Sequence, residues 1–336
     1  MKRLFLICML ISVALLYGAG TGEVSGARQN EVVVYAYDSF IAEWGPAPQL
    51  EKLFTEKTGY TVRFVSAGDA AQVLSRAVLE KKRPVADVLL GIDNNLLPLA
   101  RDSGVLEPYK SPSASDIPSE LVLAQDYILT SYDWGYFALI YDTHSSVPEP
   151  RSLEDLTKPD YQKRLILMDP RTSTPGLGFV AWTLAVYQND FDDYWKRLKP
   201  SILTMAPGWD SGYGLFTAGE APLVISYTTS AAYHLEYDGS SRYKALIFDQ
   251  GHPVQIEGMG LVRDAPNSRG GKAFIDFMLS PEAQAVLPLT QWMYPVSPSV
   301  TLPSSYVAAP HASKKLFVDP ASLAPATRKM LSILGN

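Results

Sequence analysis

Residues able to do chemistry gather at a few places in this 336-residue chain. The segment Asp169-Pro170-Arg171-Thr172-Ser173-Thr174-Pro175-Gly176-Leu177-Gly178 sets small hydroxyl residues and a proline ahead of an apolar run, Phe179 to Tyr187. Ser or Thr at an N-cap followed by Pro in the first turn predicts a helix start. Amide N–H groups are unsatisfied there and the helix dipole is positive, so such a terminus can hold a phosphate or carboxylate. A capped helix that binds nothing would read the same way from this segment alone. Aromatic residues beside turn and helix-start signals add to it. Tyr37 and Trp44 flank Asp38-Ser39, and Trp209 follows Pro207-Gly208 with Tyr213 close behind. Tyr227 and Tyr233 bracket Thr228-Thr229-Ser230, and Trp292 precedes Met293-Tyr294-Pro295. Taken singly, each reads as a core residue, because aromatic rings bury well. Together at loop starts they suit a flat or cationic organic ligand, held by stacking and cation–π attraction worth roughly 0.5–2 kcal/mol per contact. Asp69, at a predicted strand end, could pair with an amino group or positive charge on that ligand. With the helix terminus at Ser173, these residues outline a site for an aromatic cation that optionally carries a phosphate.

Enzyme signatures are weak. The chain has no glycine-rich phosphate loop ending in Lys-Ser/Thr, no His-Glu-x-x-His motif and no Gly-x-Ser-x-Gly elbow. Its four histidines, at 144, 234, 252 and 311, lack metal-ligand spacing. No activated serine is marked beside His234 or His252, so neither a catalytic residue nor a metal site is expected.

These residues need a scaffold. Val32 to Tyr37 reads as a strand, Pro46 to Lys57 as a helix stopped by Gly59, and Tyr60 to Val65 as a second strand. Ala70 to Lys82 reads as a helix, Ala86 to Leu90 as a short buried strand, and a helix follows near Asn94 to Asp102. The βαβαβ order predicts a parallel sheet covered by helices, with ligands beyond the carboxyl ends of its strands. Asp38, Ser39, Asp69, Asp93, Asn94 and Asn95 fall at those ends. After a Ser- and Pro-rich loop at 111–118, strands are expected at 136–141, 165–168, 223–227 and 259–262. Helices are expected at 178–187, 191–198 and 272–279, and the final segment, 311–336, reads as a docked helix. The result is a second α/β lobe.

Lys2 and Arg3, the apolar run Leu4 to Tyr17 and the small residues Gly18-Ala19-Gly20 read as a secretory signal over residues 1–20. The expected mature protein is soluble and exported. The one cysteine, Cys8, lies inside that signal, which leaves no disulfide, thiolate metal site or cysteine nucleophile. The whole chain carries a net charge of −6; loss of Lys2 and Arg3 takes it to about −8. That charge argues against nucleic acid or an anionic membrane as a main partner.

The chain resembles the periplasmic thiamine-binding proteins of bacterial ABC importers over nearly all of its mature length, from Val32 to about Pro303. The resemblance is carried by YAYDSFIAEWGPAP at 35–48, ADVLLGIDNNLL at 86–97 and DWGYFALIYD at 133–142. It continues through MDPRTSTPGLG at 168–178, GWDSGYGLF at 208–216, SYTTSAAYH at 226–234 and QWMYPV at 291–296. It implies a two-lobed periplasmic-binding-protein fold of α/β class, each lobe a mainly parallel sheet flanked by helices, joined by crossing hinge strands. The first lobe is expected to comprise 28–131 plus 262–292. The second comprises 136–257 plus 296–336, with Tyr132 to Tyr136 and Gly258 to Leu261 as hinge segments. The resemblance further implies that Tyr37, Trp44, Tyr227 and Trp292 pack on the two rings of thiamine, and that Asp69 hydrogen-bonds the pyrimidine end. Trp209 and Tyr233 match further cleft residues, and Ser173, Thr174 and Gly176 match the place of a phosphate ester. Ala206-Pro207 stands where a more polar lead-in with lysine is expected, and Ala231-Ala232 where Pro-Ala is expected.

The implied role is a monomeric extracytoplasmic receptor that passes thiamine, its monophosphate or its diphosphate to a membrane permease and ATPase, with no cofactor of its own. Two rival cargoes share the fold. Ferric ion could use Tyr227 with Tyr233, but phenolate sites need further anionic or imidazole ligands. A polyamine could use the aromatic residues with Asp69, but the positive helix terminus would repel it. A serine-dependent hydrolase of a thiamine-like substrate is the enzyme alternative.

Overall fold

The computed structural model describes residues 30–335; the signal expected over 1–20 and the first residues of the segment starting at 28 lie outside them. The first half runs β1 (Glu31–Ala36), α1 (Ala47–Thr58), β2 (Thr61–Ser66), α2 (Ala70–Leu79), β3 (Val88–Asp93), α3 (Leu97–Ser103), β4 (Leu106–Glu107) and β5 (Thr130–Asp142). The second half runs β6 (Leu165–Met168), α4 (Thr174–Tyr187), α5 (Phe191–Leu198), β7 (Ile202–Ala206), α6 (Trp209–Thr217), β8 (Leu223–Tyr227), α7 (Ser230–Asp238), β9 (Tyr243–Ala245) and β10 (His252–Val262). The chain ends with α8 (Ser268–Met278), β11 (Tyr294–Pro295), β12 (Lys315–Leu316) and α9 (Leu323–Leu334).

β1 shows why the sequence forms this layer. Val32, Val34 and Ala36 enter one core, while Val33 and Tyr35 enter another on the opposite face. Apolar residues on both faces of a strand demand cover on both sides, as a parallel sheet receives from its crossover helices. β1 accordingly pairs in parallel with β2 and β3. In the other half β6 pairs in parallel with β7 and β8, over a core that includes Phe179, Trp182, Trp195 and Phe216. The full path is β2-β1-β3-β10-β5-β8-β6-β7.

β5 and β10, at 13 and 11 residues, pair with each other and link the two parallel groups. β10 also pairs with β3, and β5 with β8. Both strands extend well beyond the 136–141 and 259–262 read from the sequence. The extra residues include Asp133, Gly135, Glu257 and Gly258, which have weak strand propensity and are held by neighbours on both sides. The register of β10 slips beside Glu257 and Gly258, where a bulge re-aims the strand.

α4 begins at Thr174, four residues before the expected Gly178. Pro175 fits the first turn, and Gly176 lets the helix approach β6: a Cβ there would stand 2.4 Å from the Met168 carbonyl oxygen. The helix is apolar all round and buried, as such helices are. The expected C-terminal helix is confined to α9, which docks on the second core through Ala326, Met330 and Leu331. Asp319 and Pro320 ahead of it form a separate short 3-10 turn.

Candidate functional site

Most of the residues singled out in the sequence stand around one cleft of about 410 Å³, within the range of small-molecule sites. One wall is built where β1, β2 and β3 end. Tyr37 follows β1, and Trp44 sits in the next loop, 51 % exposed. Gly91 in β3 makes room for the Tyr37 ring. It has φ +94°, and a Cβ there would lie 2.3 Å from Tyr37 Cδ1. Asp69 caps α2, its Oδ1 accepting from the Ala70 N–H at 2.7 Å.

The facing wall is carried by the start of α6 and the end of β8. The Trp209 and Tyr213 rings stack 4.9 Å apart, one helical turn from each other. Trp209 Nε1–H donates to Ser226 Oγ at 2.8 Å, which fixes the ring's tilt. Its centroid lies 6.2 Å from that of Trp44, with the two indoles tilted 54° to each other. Tyr227 stacks on Phe137 at 5.2 Å, and Tyr233 meets Trp292 edge-on at 5.4 Å. Trp292 itself sits at φ +57°, a left-handed conformation that directs the chain from the short helix 287–290 into β11.

The polar groups are acidic. Burial pushes the Asp69 carboxyl up to about 6, against the lowering effect of the Ala70 backbone N–H, the Ser173 hydroxyl and the Trp209 backbone N–H. Its Oδ2 is buried without a hydrogen bond of ordinary geometry. Partial desolvation at the cleft edge, and the charge of Asp38, also raise Asp210, although the residue stays exposed. Glu257 closes the floor: Tyr132 and Tyr37 donate to its Oε2 at 2.5 and 2.8 Å, and Gln255 donates to its Oε1. Asp69, Asp210 and Glu257 line the cleft, and among the described residues no Lys or Arg lines it. The arrangement suits a flat, positively charged molecule, gripped by rings and neutralised by carboxylates.

Residues 83–319 match the family described as bacterial extracellular solute-binding protein. The chain belongs to this family. The "Thiamine-binding periplasmic protein" of Brucella melitensis is 38% identical over 94% of each chain. That of Escherichia coli is 37% identical over 90% of this chain and 91% of its own. A solved "Periplasmic thiamin binding protein" superposes with a TM-score of 0.84 at 34% identity, covering 91% of this chain and 96% of that one. This solute-binding protein therefore has the two-lobed periplasmic-binding-protein fold, is periplasmic, and is a receptor rather than an enzyme.

In this solute-binding protein Tyr37, Trp44, Asp69, Trp209, Tyr227, Tyr233 and Trp292 all line the cleft, together with Thr174. Ser173 does not: it is 1% exposed, and its buried hydroxyl sits beside the Asp69 carboxyl, whose pKa it helps to lower, without a hydrogen bond of ordinary geometry; the Thr174 hydroxyl is buried as well. Ser173 is the N-cap of α4, yet its side chain makes no capping bond. Gly176 packs on β6 rather than on the cleft. The histidines weighed for a triad are bound elsewhere. His252 is held by Phe137 and Phe248 backbone groups, and His234 lies between Tyr213 and Asp238. Sequence reading missed Glu257, Asp210 and Gln291 as cleft residues. Asp210 and Gln291 were legible as direct neighbours of Trp209 and Trp292; Glu257 lay in a stretch that did not read as a strand.

Proposed function

We propose that this solute-binding protein captures thiamine, and its mono- and diphosphate, between its lobes and delivers them to the permease and ATPase of an ABC importer. The observation that carries this reading is the composition of the cleft: aromatic rings from both walls, three carboxylates and no lining Lys or Arg. Thiamine joins an aminopyrimidine to a permanently cationic thiazolium, so it needs both features. Relatives at 37–38% identity named for thiamine binding support the same cargo. In this reading Tyr37, Trp44, Tyr227 and Trp292 enclose the two rings, Trp209 and Tyr233 extend the walls, and Asp69 meets the aminopyrimidine. A phosphate ester lies toward Thr174 and the first turn of α4, with Ser173 behind it. Its grip comes from backbone N–H and hydroxyl groups without a cationic side chain. The lobes are 28–131 with 262–292, and 136–257 with 296–336; they close about β5 and β10. The receptor acts as a monomer and needs no cofactor.

Titration of the mature protein, freed of copurified ligand by unfolding and refolding, tests this. Calorimetry is expected to give saturable one-to-one binding of thiamine at submicromolar concentration, unaffected by spermidine or ferric ion. Binding of spermidine or ferric ion in place of thiamine would assign the cleft to another cargo.

A further inference from the structure

Three acidic side chains form a row under the cleft. Asp93 on β3, Glu257 on β10 and Asp133 on β5 are register partners across three neighbouring strands. Partners in register present their side chains on one face, close enough to interact. Asp93 and Asp133 are completely buried, and Glu257 is 5% exposed where it reaches the cleft. Asp93 is satisfied by the N–H groups of Asn95 and Leu96 and by the Asn95 amide. Asp133 is not: neither of its carboxyl oxygens meets a donor. Glu257 faces it, and the contact becomes a hydrogen bond only when one of the two carboxyls is protonated.

The remaining groups that face Glu257 are Tyr132 on β5, Tyr37 after β1, Tyr227 on β8, Gln255 on its own strand, Gln291 after the helix 287–290, and Asp69 at the start of α2. None is a cation. Burial raises Asp133, Glu257 and Asp93 above the usual carboxylate range; the Glu257 charge raises Asp133 further, while the contact with Asp133 lowers Glu257, so a proton resides between that pair. A cleft floor required only for packing would be built of apolar side chains, because buried carboxyls without a cation are costly. A cation that enters from the cleft supplies the missing partner.

We propose that Glu257 is the counter-ion of the bound ligand, and that the proton it shares with Asp133 leaves the protein when a permanently cationic ring enters the cleft. This rests on the reading of the cargo as thiamine. The O–H bond of the shared carboxylic acid breaks, its electron pair stays on the carboxylate, and the proton passes to the buffer. The site gains one positive charge from the ligand and loses one to solvent. Affinity therefore rises with pH while the free protein still holds that proton, and levels off once it is lost.

Calorimetry of the wild type with thiamine, in buffers of different ionisation enthalpy near pH ~6.5, counts the protons. The control ligand is a thiamine analogue with a neutral ring in place of the thiazolium. It keeps the aminopyrimidine, so any proton exchanged at Asp69 cancels in the difference. Thiamine is expected to release about one proton more than the analogue. Glu257→Gln is expected to abolish that difference and to weaken thiamine about tenfold more than it weakens the analogue. Equal proton counts for the two ligands on the wild type, a measurement that needs no variant to fold, would overturn the counter-ion role and leave the thiamine receptor standing. No thiamine binding at any pH would overturn both.

Discussion

Trp209→Ala tests the ligand grip of the cleft at a ring whose only hydrogen bond can be lost without stranding its partner. The ring is half-buried, stacked on Tyr213 at 4.9 Å, and tilted toward Trp44 at 6.2 Å. Its one hydrogen bond goes to Ser226 Oγ, which keeps a second partner, Ser230 Oγ, at 2.8 Å. Truncation therefore strands no buried polar atom at Ser226. The loss falls on the ligand, which gives up one aromatic face. A stacking contact of about 0.5–1.5 kcal/mol and a cation–π contact of similar size sum to roughly 1–3 kcal/mol. That corresponds to a Kd about 5- to 150-fold higher. Trp209→Phe keeps a ring but loses the Nε1–H that sets its tilt, and is expected to cost about 0.5–1.5 kcal/mol. Calorimetry is the proper assay, since removal of an indole alters the fluorescence signal itself. Urea unfolding of both variants checks that the lobes stay intact. Alanine and phenylalanine variants that both bind thiamine within about twofold of wild type would refute the aromatic clamp.

Three further outcomes are expected. Thr174→Asp places a charge at the first turn of α4, and is expected to weaken thiamine monophosphate about tenfold more than thiamine by like-charge repulsion; equal losses in calorimetry would put the phosphate elsewhere. Gly91→Ala forces a side chain to φ +94° and drives a Cβ into the Tyr37 ring. It is expected to cost about 2 kcal/mol or more in urea unfolding and to weaken the ligand as Tyr37 shifts, whereas unchanged stability would mean that the strand relaxes freely. His252 accepts the Phe248 N–H at Nε2 and donates from Nδ1 to the Phe137 carbonyl, so it is the neutral tautomer, and burial lowers its pKa to about 4. An unfolded histidine titrates near ~6.5, so as pH falls from about 6.5 to about 4 the unfolded chain takes up more protons. Stability should drop by of order 3 kcal/mol over that window, and His252→Gln should flatten the drop in urea unfolding; equal slopes would show that the imidazole is hydrated or charged in the folded state.

The parts of this molecule that the sequence announces are those where local and tertiary demands agree. Val32 to Ala36 reads as a buried strand because every residue in it is apolar, and it is one. Ser173 and Pro175 read as a helix start because first-turn chemistry is local. The cleft's aromatics were visible for a related reason, since rings at loop starts are conspicuous in type and place. Its charge was not. Asp69 stands 141 residues before Asp210, and Asp210 stands 47 before Glu257, and nothing in the spacing says that they meet. Glu257 was further hidden because an acid inside HPVQIEGMGLV contradicts the pattern that marks a buried strand. Pairing with β3 and β5 holds that segment extended despite the carboxyl, and Glu257 lines the cleft just before the register shifts. A residue that breaks the local rule and is kept in place by tertiary pairing marks where the fold accepts a cost. Here the cost is a charge without a partner, and the ligand expected in this cleft brings the partner with it.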